Sequence, residues 1–148
     1  MIQVDFCNQS SREVDHRRLI LAATRVLEEA ELERAQVSLA VIDDPAMHEL
    51  NRRHLDHDYP TDVLSFVLEQ SNGELEGEVI VSIETAESQA REYGWAAEDE
   101  LLLYVIHGVL HLIGYDDKSP EACEEMRLAE TRHLGKFGLT PPWDGEEP

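Results

Sequence analysis

Residues 107–117 read HGVLHLIGYDD: two histidines four apart, then a glycine, then two aspartates. Side chains four apart on a helix share one face, so His107 and His111 can turn their rings to a single point. Two imidazoles so placed can share a zinc ion at about 2.0–2.1 Å each. Gly114 stands three residues further on, where a left-handed residue ends a helix and reverses the chain. That reversal can bring a carboxylate back toward the histidines, with Asp117 the favoured third ligand and Asp116 the poorer one. An ordinary pair of core histidines is the bland alternative. Burying both on an apolar helix is costly unless something satisfies their nitrogens. Three protein ligands also leave a fourth position for water, which marks a catalytic rather than a structural zinc site.

The spacing matches that of H-E-x-x-H zinc proteases, but Gly108 stands where those enzymes carry the glutamate that takes a proton from the metal-bound water. Peptide hydrolysis therefore lacks its usual acid and base. Cleavage of an RNA phosphodiester asks less of the protein, because RNA brings its own 2′-hydroxyl nucleophile. A metal can then stabilise the charge that develops on the phosphate oxygens.

The elements that must position these groups follow from periodicity. Ile2, Val4 and Phe6 alternate as in a half-buried strand, and Val37, Leu39 and Val41 do the same. Between them Leu19, Ala22, Ala23, Val26, Leu27 and Ala30 recur at helical spacing, predicting a helix from about Asp15 to Ala30. After the second strand, Asp44 can cap a helix with Pro45 at its first position. Residues 62–69 and 77–84 are β-rich runs around the turn SNGELEG and read as a hairpin. Thr85 can cap a short helix ending near Tyr93-Gly94. AAEDELLLYVIHGVLHLIG begins with acids that suit a helix N-terminus and is apolar around nearly its whole circumference, so it belongs in the core. Ser119-Pro120-Glu121 starts a last helix running to about Lys136. The order β-α-β-α-β-β-α-α-α predicts an α+β fold. It is a small mixed sheet of about four strands packed with about five helices, with the metal site on a buried helix and the turn after it. Residues 1–139 are expected to form one domain and 140–148 a loose tail.

The chain has 148 residues, 42% of them hydrophobic, which suits a continuous core. Thirty-two acids against twelve Lys and Arg give a net charge of −20, a field that repels nucleic acid unless cations gather locally. Basic clusters at residues 16–18 and 52–54 are the places for such a patch. The longest apolar run, about 13 residues from Leu101 to Ile113, falls short of the ~20 that a membrane span needs. MIQVDFCNQS has no basic segment followed by an apolar run, so no secretory signal is expected and a cytoplasmic location is. Cys7 and Cys123 follow no ligand or disulfide spacing and are expected to be reduced, buried thiols.

HGVLHLIGYDD resembles the HGxLHLxGYDH signature of the YbeY family of bacterial metal-dependent endoribonucleases. PTDVLSF (60–66) resembles that family's second motif and GEVIVSIETA (77–86) its G-D-I-x-I stretch, the similarity running from about Leu39 to Leu134. The resemblance implies an α+β fold and zinc held by three histidines. It also implies cleavage of single-stranded RNA in ribosomal RNA maturation, at the 3′ end of the small-subunit RNA, and in ribosome quality control. The family's third histidine falls on Asp117, and its arginine before the second motif falls on Leu55. Two imidazoles and a carboxylate still suit zinc, and the oxygen ligand makes manganese or magnesium more acceptable. With leucine at 55, phosphate contacts pass to Arg52, Arg53, His54 or His57. Of these, Arg52, Arg53 and His57 are the substrate-binding candidates.

The leading expectation is thus a zinc-dependent, single-strand endoribonuclease with His107, His111 and Asp117 as ligands. Its expected partners are single-stranded or ribosomal RNA and the small ribosomal subunit or its assembly proteins, without a membrane. A ribosome assembly factor with a structural metal is the alternative, favoured by the charge and by Leu55. A protease lacking its glutamate base comes third.

Overall fold

A computed structural model of the chain describes residues 1–47, 49, 63–116 and 118–141. Arg52, Arg53, His54, Leu55, His57, Asp62 and Asp117 lie outside the described residues. Strand β1 (Ile2–Asn8) leads through helix α1 (His16–Glu29) to strand β2 (Arg34–Ile42). The described part of a short helix, α2, covers 44–47 and 49. Strands β3 (Val63–Ser71) and β4 (Glu74–Ser82) follow, then helices α3 (Ile83–Tyr93), α4 (Ala97–Leu112) and α5 (Pro120–Gly135). The strands lie in the order β1-β2-β4-β3, with β1, β2 and β4 parallel and β3 antiparallel to β4. This is the expected α+β fold with a mixed sheet.

Alternation decides which face of the sheet is covered. Ala35, Val37, Leu39 and Val41 of β2 and Leu75, Val79 and Val81 of β4 point into the main core with α1 and α4. Ile42, Leu64 and Ile80 face the opposite way and bury Met47 of α2 in a second, smaller cluster. Helix α4 is buried on nearly all sides, from Leu101 through Leu112. It packs on β3 and β4 and against α1, α3 and α5. Each Leu, Ile or Val buried this way contributes about 1.5–3 kcal/mol, so the helix that carries the histidines is among the most firmly held parts of the molecule.

Several local expectations are corrected. Asp43, not Asp44, caps α2: its Oδ1 accepts the Ala46 N–H at 3.3 Å, and its carbonyl accepts the Met47 N–H. Asp44 is diverted because its carboxylate accepts hydrogen bonds from the hydroxyls of Ser82 and Thr85 at the start of α3. Ser82 rather than Thr85 therefore caps α3, its Oγ accepting the Thr85 N–H at 3.1 Å. The hairpin is tighter than expected: Ser71 pairs with Glu74 around Asn72-Gly73, and Gly73 has φ 75°. A register shift between Val67 and Glu69 bulges the edge strand. Both cysteines are free as expected, but Cys7 is exposed and Cys123 only half-buried. Among the described residues, no helix is long and apolar enough to cross a membrane.

Candidate metal centre on helix α4

The site is built from the C-terminal half of α4 and the chain reversal after it. Gly114 has φ 114°, and the Gly114 and Tyr115 N–H groups bond back to the carbonyls of His111 and Leu110 at 3.2 and 3.0 Å. This left-handed stop turns the chain immediately after the histidines, as the glycine spacing predicts. Asp116 is exposed and spends its carboxylate on the turn itself, accepting the Lys118 N–H at 3.0 Å. Ser119 then caps α5 through the Ala122 N–H, with Pro120 in its first turn.

His107 and His111 converge. Their Nε2 atoms lie 3.1 Å apart, with ring centroids 4.6 Å apart and planes at 76°. Two zinc–nitrogen bonds of tetrahedral geometry place their nitrogens ~3.4 Å apart, so a shared ion fits between the rings with little movement. His107 keeps 28% of its side chain exposed, which leaves the pair open on one side. Its other nitrogen, Nδ1, lies 2.5 Å from Oε2 of Glu130 on α5. A carboxylate facing one ring nitrogen leaves the other as the lone-pair atom, the form in which histidine binds zinc. The two histidines therefore suit a metal. Among the described residues, no third His, Cys, Asp or Glu completes a ligand set; Asp117, the expected third ligand, lies outside them.

Gly108 has a packing reason. A Cβ there would come within 2.5 Å of Val79 Cγ1 and 3.1 Å of Ser65 Oγ. Helix and sheet meet so closely at this residue that no side chain fits, a general base least of all. Ser65 donates its hydroxyl to the Gly108 carbonyl at 2.9 Å, tying β3 to the turn that carries both histidines.

Sequence reasoning missed Glu130. It is 5% exposed on a helix rich in acids. The signal was present in the spacing Met126, Ala129, Glu130, His133, Leu134, the buried face of α5. His133 on that face is also buried, at 1%, with Nε2 3.1 Å from Glu29 Oε2. Burial holds the His133 pKa below its usual value, and the Glu29 charge opposes that only partly. Burial pushes Glu29 up, but the hydrogen bond from Arg132 and the neighbouring charges of His133 and Arg132 together outweigh it and leave the carboxyl below its usual range.

The chain also has close relatives in sequence and structure. The family model described as Endoribonuclease YbeY matches residues 5–138. A protein named Endoribonuclease YbeY from Rhodopirellula baltica is 43% identical over 117 residues, 78% of this chain and 60% of that protein's length. One of the same name from Pelotomaculum thermopropionicum is 43% identical over 130 residues, 82% of this chain and 86% of the relative. The solution structure of TM1509 from Thermotoga maritima superposes with a TM-score of 0.59 at 30% identity, covering 96% of this chain and 95% of that one. On the match of its sequence and its fold, the chain belongs to the Endoribonuclease YbeY family.

Proposed function

We propose that the protein is a zinc-dependent endoribonuclease that cleaves single-stranded RNA in ribosomal RNA maturation and ribosome quality control. One observation carries the metal part of this reading: two Nε2 atoms aimed at one point, 3.1 Å apart, on a half-open face of α4. The RNA part draws on family membership. His107, His111 and Asp117 would hold the ion. When bound, it supplies positive charge that stabilises developing charge on the scissile phosphate. The protein's own contributions are positional. Gly108 brings α4 against β4 and puts no carboxylate at the position where a zinc protease carries its base, so proton transfer falls to other groups. A metalloprotease mechanism resting on a base at that position is sterically disfavoured. Arg52, Arg53 and His57 are the residues proposed to hold the RNA backbone. The site of action is the cytoplasm, on the 3′ end of the small-subunit RNA.

A second reading, an assembly factor whose metal is structural, is favoured by the charge of −20. Arg12, Arg18 and Arg132 are moreover all engaged by carboxylates rather than open to phosphate. Full-length protein loaded with zinc and given end-labelled single-stranded RNA separates the two. Cleavage that disappears in His111→Ala supports the nuclease. Zinc-loaded protein that co-sediments with small subunits, cleaves nothing and still binds as His107→Ala supports the assembly factor.

A further inference from the structure

We propose that Glu130 is a positioning residue of the metal centre: by holding the proton of His107 on Nδ1, it fixes the ring so that Nε2 faces the ion. The inference rests on the metal reading above. Four polar residues are buried among the described residues: Ser82, Glu100, Glu130 and His133. Three are explained by structure alone. Ser82 caps α3, Glu100 accepts the Trp95 indole N–H at 2.7 Å, and His133 packs beside Glu29. The carboxylate of Glu130 instead meets His107, across the contact between α4 and α5.

The chemistry of that pair is directional. A carboxylate oxygen facing Nδ1 accepts the ring N–H, so the shared proton sits on the ring nitrogen. A neutral imidazole carries one N–H, and placing it on Nδ1 leaves Nε2 with a bare lone pair. That Nε2 is the atom 3.1 Å from its counterpart on His111. The Glu130 side chain is 7% exposed and its helix is anchored by Met126, Ala129 and Leu134 in the main core, so it cannot follow the ring if the ring swings. Metal-bound histidines held by such a carboxylate lose about 10–100-fold in metal affinity without it.

The test uses the full chain labelled with nitrogen-15 and zinc alone as the probe. In the metal-free wild type, the nitrogen shifts of His107 are expected to show the proton on Nδ1. Glu130→Ala is expected to mix the two tautomers and weaken zinc binding about 10–100-fold in competition with a chelator, with the circular dichroism unchanged. Glu130→Gln, whose amide oxygen still accepts from Nδ1, is expected to recover the tautomer and much of the affinity. A folded Glu130→Ala binding zinc within about threefold of the wild type overturns the proposal, and so does a glutamine variant no better than alanine. A wild-type proton on Nε2 overturns it even if Glu130→Ala fails to fold. His111→Ala separates the two readings. If it too leaves zinc binding intact, the metal reading falls as well; if it alone abolishes binding, only the role of Glu130 falls.

Discussion

His133 and His107 each face a glutamate across a contact between helices, at 3.1 Å from Glu29 and 2.5 Å from Glu130. Their surroundings differ in two ways. His133 is 1% exposed and sits in the core beside Leu134, while Arg132 forks onto the same Glu29 with contacts of 2.8 and 2.9 Å. His107 has 28% of its side chain exposed, and its Nε2 edge meets a second imidazole. A buried histidine beside an already neutralised carboxylate is a packing element. A half-open one, held on one nitrogen and aimed with the other at a second histidine, is arranged to bind something. Histidine count and charge do not separate the two; the direction in which the second nitrogen points does.

The largest expected effect follows from that direction. His111→Ala should weaken zinc binding more than the roughly 100-fold upper figure for losing an outer partner, with little change in stability. Chelator competition and urea unfolding check both halves. His133→Ala should do the reverse, costing about 2–3 kcal/mol of stability through the cavity it leaves, with zinc affinity within about twofold of the wild type. If both substitutions affect the same quantity, the contrast is broken.

The residue between the two metal candidates sharpens it further. Alanine is the better helix former by about 1 kcal/mol, yet Gly108→Ala should destabilise by about 1–3 kcal/mol, because its methyl would meet Val79 at 2.5 Å. A urea midpoint that rises would show that the helix and sheet are not so tightly joined there.

The smallest expected effect is a pH dependence at the structural histidine. Burial lowers the His133 pKa from its ordinary 6.5, so on acidification the unfolded chain takes up a proton that the folded ring refuses. Stability should therefore fall as the pH drops below about 6.5, and the loss is complete below the folded value. Glu29, held below its ordinary 4.5, contributes stability that disappears only at still lower pH, as its folded carboxyl is protonated. Thermal unfolding between pH 7.5 and 5.5 should show this decline, and His133→Leu should flatten it.

Much of this was readable from residue types. Strand alternation at Val37, Leu39 and Val41, the all-round apolar surface of α4, and the glycine that stops it depend on local chemistry alone. So does the pairing of His107 with His111, since helical spacing fixes their relation. What escaped depends on neighbours distant in sequence. Asp43 and Asp44 are interchangeable as caps until Ser82 and Thr85 claim one of them. Leu75 disappears among the acids of ELEGE until β2 is laid beside it. Gly108 looked like a missing base, and only the approach of Val79 shows it to be a packing requirement. Glu130 is one acid among many on its helix until α4 brings His107 against it.

Crystals of the zinc-loaded protein, with anomalous scattering collected on both sides of the zinc absorption edge, address the central claim most directly. The expected result is one strong peak about 2.0–2.1 Å from the Nε2 atoms of both His107 and His111, with the Asp117 carboxylate completing the protein ligands. No peak between those rings, or one bound elsewhere on the molecule, would contradict it.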